Sequence, residues 1–435
     1  MSVPRFRTTA VLLAIALASA CAGGDADDVA PSMGLDGPDH VLTWEPTDVY
    51  AVGGFEAPDW ATFGSVTGMG FDSRGFLYIL DDQAATITQI SPEGDFVRTI
   101  GRPGEGPGEL ARPLALLVLA DDRIAVVDIG HRGFVLFDAE GNWVENVPVD
   151  MATEGLPVQG LTAHPSGDIV SRPGLRITAA PAGNARTMNA GGGEEPEGDP
   201  IHRYALGGGR ESSDFYYAWE APPPPDGGES EMTGGSGGNR VMFRMQRLRA
   251  FSPDVDIAML PDGRMVVADT TTYTLKLVDT ETGQEVGRLE RPLAPTLVDA
   301  GVEAMERDRR LATVRDNNGG GMRVIGPGGS MSFDQDAMRK TLEDQIANMA
   351  FYPEIPVVEQ IAVDSEGRIW VQRSSGVPGE DGPTDVITPE GGYLGTLPAD
   401  GLRIPRAFGP DGLLAEVETD EFDVPTIRVK RLPPL

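Results

Sequence analysis

Cysteine is nearly absent: Cys21 is the only one in 435 residues. A lone thiol pairs with nothing inside its own chain, so no disulfide framework holds this fold. Lysine is almost as scarce, with Lys276, Lys340 and Lys430 the whole complement. Against 67 Asp and Glu, the 35 Lys and Arg leave a net charge of −32. Such a surface repels phosphate backbones and anionic head groups, which argues against nucleic-acid binding. It does attract divalent cations and basic partners, but its simplest role is a solvated surface that keeps the protein soluble. Long apolar runs are missing too. The longest, 10–20, would rise roughly 16 Å as a helix, against a hydrocarbon core of about 30 Å. Four histidines, His40, His131, His164 and His202, show no H-x-x-x-H or similar ligand spacing.

Glycine and proline are abundant instead, 56 and 36 residues. Both are costly inside helices, so a helical fold is disfavoured and a turn-rich all-β fold expected. A single core stops growing beyond about 250–300 residues, so this length implies several domains or a repeat.

The first residues read as an export signal. Arg5 and Arg7 precede the short apolar run, which ends Leu17-Ala18-Ser19-Ala20-Cys21. Small residues directly before a cysteine resemble the lipobox of bacterial lipoproteins, except that Ala18 stands where leucine is preferred. The resemblance implies removal of residues 1–20, lipidation of Cys21 and a bacterial membrane anchor. Ala22 after the cysteine slightly favours an outer-membrane, periplasm-facing address. Residues 21–39 are polar, acidic and Gly-rich and read as a flexible tether.

One motif recurs along the remainder. An apolar run, a tight turn and a second apolar run appear as GMGFDSRGFLYILD (68–81), LLVLADDRIAVVD (116–128), LTAHPSGDIVS (161–171), IAMLPDGRMVVAD (257–269), IAVDSEGRIWVQ (361–372) and RAFGPDGLLAEVE (406–418). Five of these turns end in glycine, which supplies the positive φ that other residues resist. A second hairpin follows most copies, as in TITQISPEGDFVRTIG (86–101). The unit is therefore four antiparallel strands, a to d, the size of a propeller blade. The sixth copy lacks strand d, and LTWEPTDVYAVGG (42–54) has no partner. Pairing the two would close a ring of six blades and remove its open edges. Residues 175–255 and 291–356 carry no further motif and read as insertions, the second of them helical and placed before the fifth blade.

GFDSRGFLYILD, ITQISPEGDFVRTIG and RPGEGPGELARP (102–113) resemble the NHL-type six-bladed β-propeller family. The pattern is most similar to bacterial six-bladed β-propeller lipoproteins. That resemblance spans roughly 41–433 and implies a fold rather than a single activity.

Because strands alternate direction, the b–c and d–a connections share one face of the ring, and every long insertion falls there. The opposite face, carrying the a–b and c–d turns, is where strand d of the last blade begins. The tether is thus expected to leave opposite the insertions. Ser332 and Gln335 make a capping box, and Met338, Leu342, Ile346 and Met349 form an apolar stripe ended by Pro353. Segment 297–314 is a second expected helix.

Chemistry-bearing patterns are sparse. Asp81, Asp128 and Asp269 each end a strand b; such repetition suits one turn-capping job per blade rather than catalysis. GRPGEGPGE (101–109) lacks the Lys-Ser/Thr of a phosphate loop. Candidate ligand-binding residues are Arg102, Arg112, Tyr216, Tyr217 and Trp219; no catalytic or metal set is readable. Three readings stay open: a ligand- or protein-binding scaffold of the cell envelope, a lactonase- or lyase-type enzyme with a divalent cation in its channel, and a purely structural envelope protein. The first expects an envelope protein or small ligand at the insertion rim, no cofactor, membrane contact only through the lipid, and a monomer.

Overall fold

Leu77–Asp81, the second strand of the first repeat, is buried over its whole length, as are Ile124–Asp128 and Gly133–Phe137 in the second. Strands apolar on both faces need a cover on both faces. In the computed structural model that cover is the neighbouring blade. The structure describes residues 32–35, 37–150, 154–173, 199–206, 212–218, 229–234, 241–246, 248–316, 324–326, 329–331 and 335–433. The signal segment, Cys21 and the capping residue Ser332 lie outside them.

Six four-stranded antiparallel units form the ring. Blade 1 is Val66–Phe71, Leu77–Asp81, Thr86–Ile90 and Phe96–Ile100. Blade 2 is Pro113–Val118, Ile124–Asp128, Gly133–Phe137 and Trp143–Pro148. Blade 3 is Pro157–Ala163, Ile169–Pro173, Asp199–Tyr204 and Ser213–Ala218. Blade 4 is Val255–Met259, Arg264–Asp269, Thr274–Asp279 and Gln284–Glu290. Blade 5 is Val358–Val363, Ile369–Arg373, Thr384–Ile387 and Tyr393–Leu397. Blade 6 takes Ala407–Phe408, Leu413–Thr419 and Pro425–Arg431 from the C-terminus and Thr47–Gly53 from the N-terminus. Val52 pairs with Ile427 and Thr47 with Arg431, so the expected closure holds.

Six apolar clusters sit in the six seams between blades. Phe71, Leu77 and Ile427 join blades 6 and 1, for example, and Trp370, Leu414 and Leu432 join 5 and 6. The repeated aspartates perform the structural job their positions suggest. Asp128 accepts from the amides of Ala111, Arg112, Gly130 and His131 at 2.7–3.2 Å, clamping the incoming connector to the b–c turn. Asp81 does the same for Gly64, Ser65, Gln83 and Ala84. In blade 4 the neighbour Thr270 substitutes, with its hydroxyl bridging the N–H and C=O of Asp254, while Asp269 holds only Thr271.

The helical insertion before blade 5 joins strand d of blade 4 to strand a of blade 5, on the expected face. Helix α1 is Ala300–Asp316 and α2 is Gln335–Ala347, both between blades 4 and 5. Ile346 and Met349 are buried and Leu342 half-buried, so the stripe docks; the Met338 side chain lies outside the described residues. The helix ends six residues before Pro353, because Ala350–Phe351 pairs in parallel with Arg249–Ala250. Part of the third-to-fourth blade insertion is a hairpin, Glu229–Gly234 with Val241–Gln246, rather than the irregular low-complexity loop that its composition suggests.

The tether reading needs correction. Ser32–Gly34 adds in parallel to the outer strand of blade 4, and Leu35 is buried against it. Asp39 then reaches two arginines of the blade 4–5 seam. Its carboxylate oxygens lie 2.6 Å from Arg291 and 2.7 Å from Arg373, and both arginines also approach the fully buried Asp385. Arg291 follows strand d of blade 4 and Arg373 ends strand b of blade 5, both on the insertion face. The chain therefore passes along the outside of blades 4 and 5 before Thr47 starts the closing strand. It does not leave directly from the opposite face. The cause is electrostatic: two buried guanidiniums with one buried carboxylate call for a second anion.

Candidate functional site

A cavity of about 430 Å³ opens on the insertion face where blades 4 and 5 meet. Its floor includes Val358 and Glu359, which begin strand a of blade 5, and Thr270 in the b–c turn of blade 4. One wall is α1, through Glu306, Arg309 and Arg310. The others are segment 249–254 and the b–c loop of blade 5, 374–379.

Local sequence explains this shape. Gly379 has φ +85°, and a Cβ there would stand 2.6 Å from Cδ of Arg309, so glycine lets the loop lie against the helix. Phe251 lines the cavity at φ 61°, a conformation that costs an aromatic L-residue about 1–2 kcal/mol and is concentrated at functional sites. Its ring centroid lies 6.0 Å from that of Phe351, the two rings tilted by 43°.

The electrostatics are uneven. Glu306 is buried, and burial alone would raise its carboxyl; hydrogen bonds from Arg309 and Arg310 at 2.6–2.9 Å hold it below the ordinary range. Burial pushes the Glu359 carboxyl up, with the Ser374 hydroxyl opposing and Asp381 adding. Solvent reaches Glu359, yet the concave protein surface around it removes much of its hydration. Asp254 is ion-paired to Arg172 at 2.7 Å. Among the described residues Arg249 has no ion-pair partner, and its Nε is buried without a hydrogen bond.

None of the candidate residues picked from sequence lines this cavity. Arg102 is exposed and braces its connector through Glu109 at 2.9 Å. Arg112 is exposed, with its amide held by Asp128. Tyr216 is half-buried in the blade 3–4 seam, and burial raises its phenol. Tyr217 is exposed, and Trp219 lies outside the described residues. The aromatics stand out by type and the arginines by their connector; the cavity is built from five stretches, 249–254, Thr270, 306–310, 355–359 and 374–379, more than a hundred residues apart at their extremes. The one local signal was the helical insertion before blade 5.

Among the described residues no three His, Cys, Asp or Glu side chains gather to hold a metal. His131 Nδ1 lies 3.4 Å from Asp128, inside the turn that this aspartate clamps. His202 sits between Asp214 at 2.7 Å and Glu154 at 3.8 Å in strand c of blade 3. A Ser-His-Asp grouping, which no sequence elbow announced, does form in the a–b turn of blade 3. Ser166 Oγ is 2.8 Å from His164 Nδ1 and donates to Asp168 at 3.0 Å. The hydroxyl stands between the other two, whereas a nucleophile needs the histidine in the middle. Arg203 binds Asp168 and Ser166 at 2.9 Å, and His164 Nε2 meets Thr280 at 2.9 Å, so the group staples blade 3 to blade 4.

No curated protein matches the chain. Solved structures resemble it in outline. A Bacteroides fragilis protein is 10% identical with a TM-score of 0.45, covering 93% of this chain and 100% of its own. A gluconolactonase of Xanthomonas campestris is 14% identical with a TM-score of 0.35, over 91% and 98%. Virginiamycin B lyase of Staphylococcus aureus is 10% identical with a TM-score of 0.34, over 85% and 95%. Likeness at this level carries no functional argument. Residues 64–159 match a family model described as a 6-bladed beta-propeller, and the six sheets and six seam cores make the chain a six-bladed β-propeller.

Proposed function

We propose that this protein is a lipid-anchored binding module of the bacterial cell envelope, taking a small ligand in the cleft between α1 and blades 4 and 5. The cleft carries the reading. Its 430 Å³ falls in the range of small-molecule sites, and it mixes apolar walls with a few charged groups. The strained Phe251 supports a selected shape rather than a packing fault. Export and lipidation rest on the Arg5 and Arg7 region, the short apolar run and Cys21.

Two variants test the two halves. Cys21→Ser is expected to move the protein from the membrane fraction to the soluble fraction; unchanged fractionation refutes the anchor. Val377→Trp places a large ring in the cleft from a partly exposed wall position. After incubation with a small-molecule extract of the envelope, native mass spectrometry should find bound mass on the original protein and little on this variant. Equal loading of both, with matching circular dichroism spectra, refutes the cleft.

A further inference from the structure

Three guanidiniums line two adjoining walls of the cleft, Arg309 and Arg310 on α1 and Arg249 on segment 249–254, and one carboxylate, that of Glu306, answers them. Glu306 is shared: Arg309 binds it through Nε and Nη2, and Arg310 through Nε. Donors on both arginines remain. Arg249 adds a whole cation with no ion-pair partner among the described residues. In a chain of net charge −32, walls with two positive charges beyond Glu306 are a local reversal. Of the remaining carboxylates, Asp254 is paired with Arg172, and Glu359 in the floor offsets one charge, so the cleft keeps an excess of one positive charge.

We propose that the cleft selects a small organic monoanion: a carboxylate on an apolar body, its carboxylate gripped by Arg249 with Arg309 and Arg310. This rests on the cleft being the ligand site. Guanidinium forks match a carboxylate with two parallel hydrogen bonds. The apolar body lies along Phe251, Ile355 and Val377. Glu359, in the same cavity, repels a second negative charge, which favours a monoanion over a phosphate dianion. Glu359 thus acts as a selectivity group that opposes excess charge.

The test uses 3-phenylpropionate, its amide and 3-phenylpropylamine, titrated into the intact protein by calorimetry at concentrations that saturate a millimolar site. The acid should bind more tightly than the amide, and the amine least. Arg249→Gln should weaken the acid about tenfold or more, the usual loss for a charge-assisted hydrogen bond, and leave the amide nearly unchanged. Glu359→Gln should instead tighten the acid several-fold, a gain that a damaged fold does not produce. No binding of the acid, or tightest binding of the amine with loss on Glu359→Gln, overturns the anion assignment. Neither result touches the Val377→Trp contrast, which alone decides whether the cleft is the site.

Discussion

Asp385→Asn is expected to lower the unfolding free energy by about 3–5 kcal/mol, the usual penalty for breaking a buried ion pair and stranding its partner. Asp385 is 0% exposed and lies 2.6 Å from Arg291 and 3.5 Å from Arg373. Thr396 donates to its other oxygen at 2.5 Å. Removing this charge leaves two buried guanidiniums sharing one partly exposed carboxylate, Asp39. Asp39→Asn should cost far less, about 1 kcal/mol or below, because its side chain is 44% exposed and solvent screens the pair. The pH dependence separates the two. The Arg373 hydrogen bond, with burial opposing and Arg291 assisting, holds the Asp39 carboxyl below its ordinary value. A depressed carboxyl contributes stability that is complete above its unfolded pKa, about 3.9, and fades as pH falls through the folded value. Urea midpoints of the original protein and Asp39→Asn should therefore differ at neutral pH and converge in acid. Equal losses from both substitutions at pH 7 would show that burial does not make Asp385 the stronger anchor of this seam.

The same segment shows how far the sequence could be read. The blades were legible because each a–b turn is punctuated locally, as Gly75 and Gly367 are at positive φ after Asp72 and Asp364. Ring closure was legible because a strand pattern without a partner stood at each end of the chain. Docking of residues 32–40 was not. Its composition is that of a solvated linker, and its attachment depends on single residues, Leu35 and Asp39, meeting partners more than 200 positions away. Arg249, Glu306 and Glu359 are likewise unremarkable in their own stretches. They come together in one cleft only because the insertion before blade 5 folds a helix back over the seam. Pattern reading finds periodic structure; it has no means of pairing isolated charges across a ring.

Removing residues 1–54 is expected to have the larger consequence, loss of the closed ring. Thr47–Gly53 is the fourth strand of blade 6, and its ladder to Pro425–Arg431 ties the chain that leads into blade 1 to the last blade. Without it Ile427 and Val429 lose Val52 and Tyr50 from the blade 6–1 core, and an unpaired strand edge faces solvent. The truncation also removes Trp44, whose ring centroid lies 5.5 Å from that of the fully buried Trp370 at a 56° tilt and which lies under Arg368. A chain lacking only residues 1–40 separates the effects, since it keeps the strand and Trp44 but loses Asp39. That shorter truncation should stay monomeric with a modestly lowered urea midpoint. The longer one should show a broad, early transition and self-association by light scattering. Arg428 and Lys430 on the exposed edge limit indiscriminate strand addition. A synthetic peptide spanning 41–54 should therefore restore the monomer and its cooperative transition when added in excess, through the register that pairs Val52 with Ile427. A monomeric 55–435 fragment with the full-length urea midpoint would mean that the five complete blades hold the sixth without its closing strand.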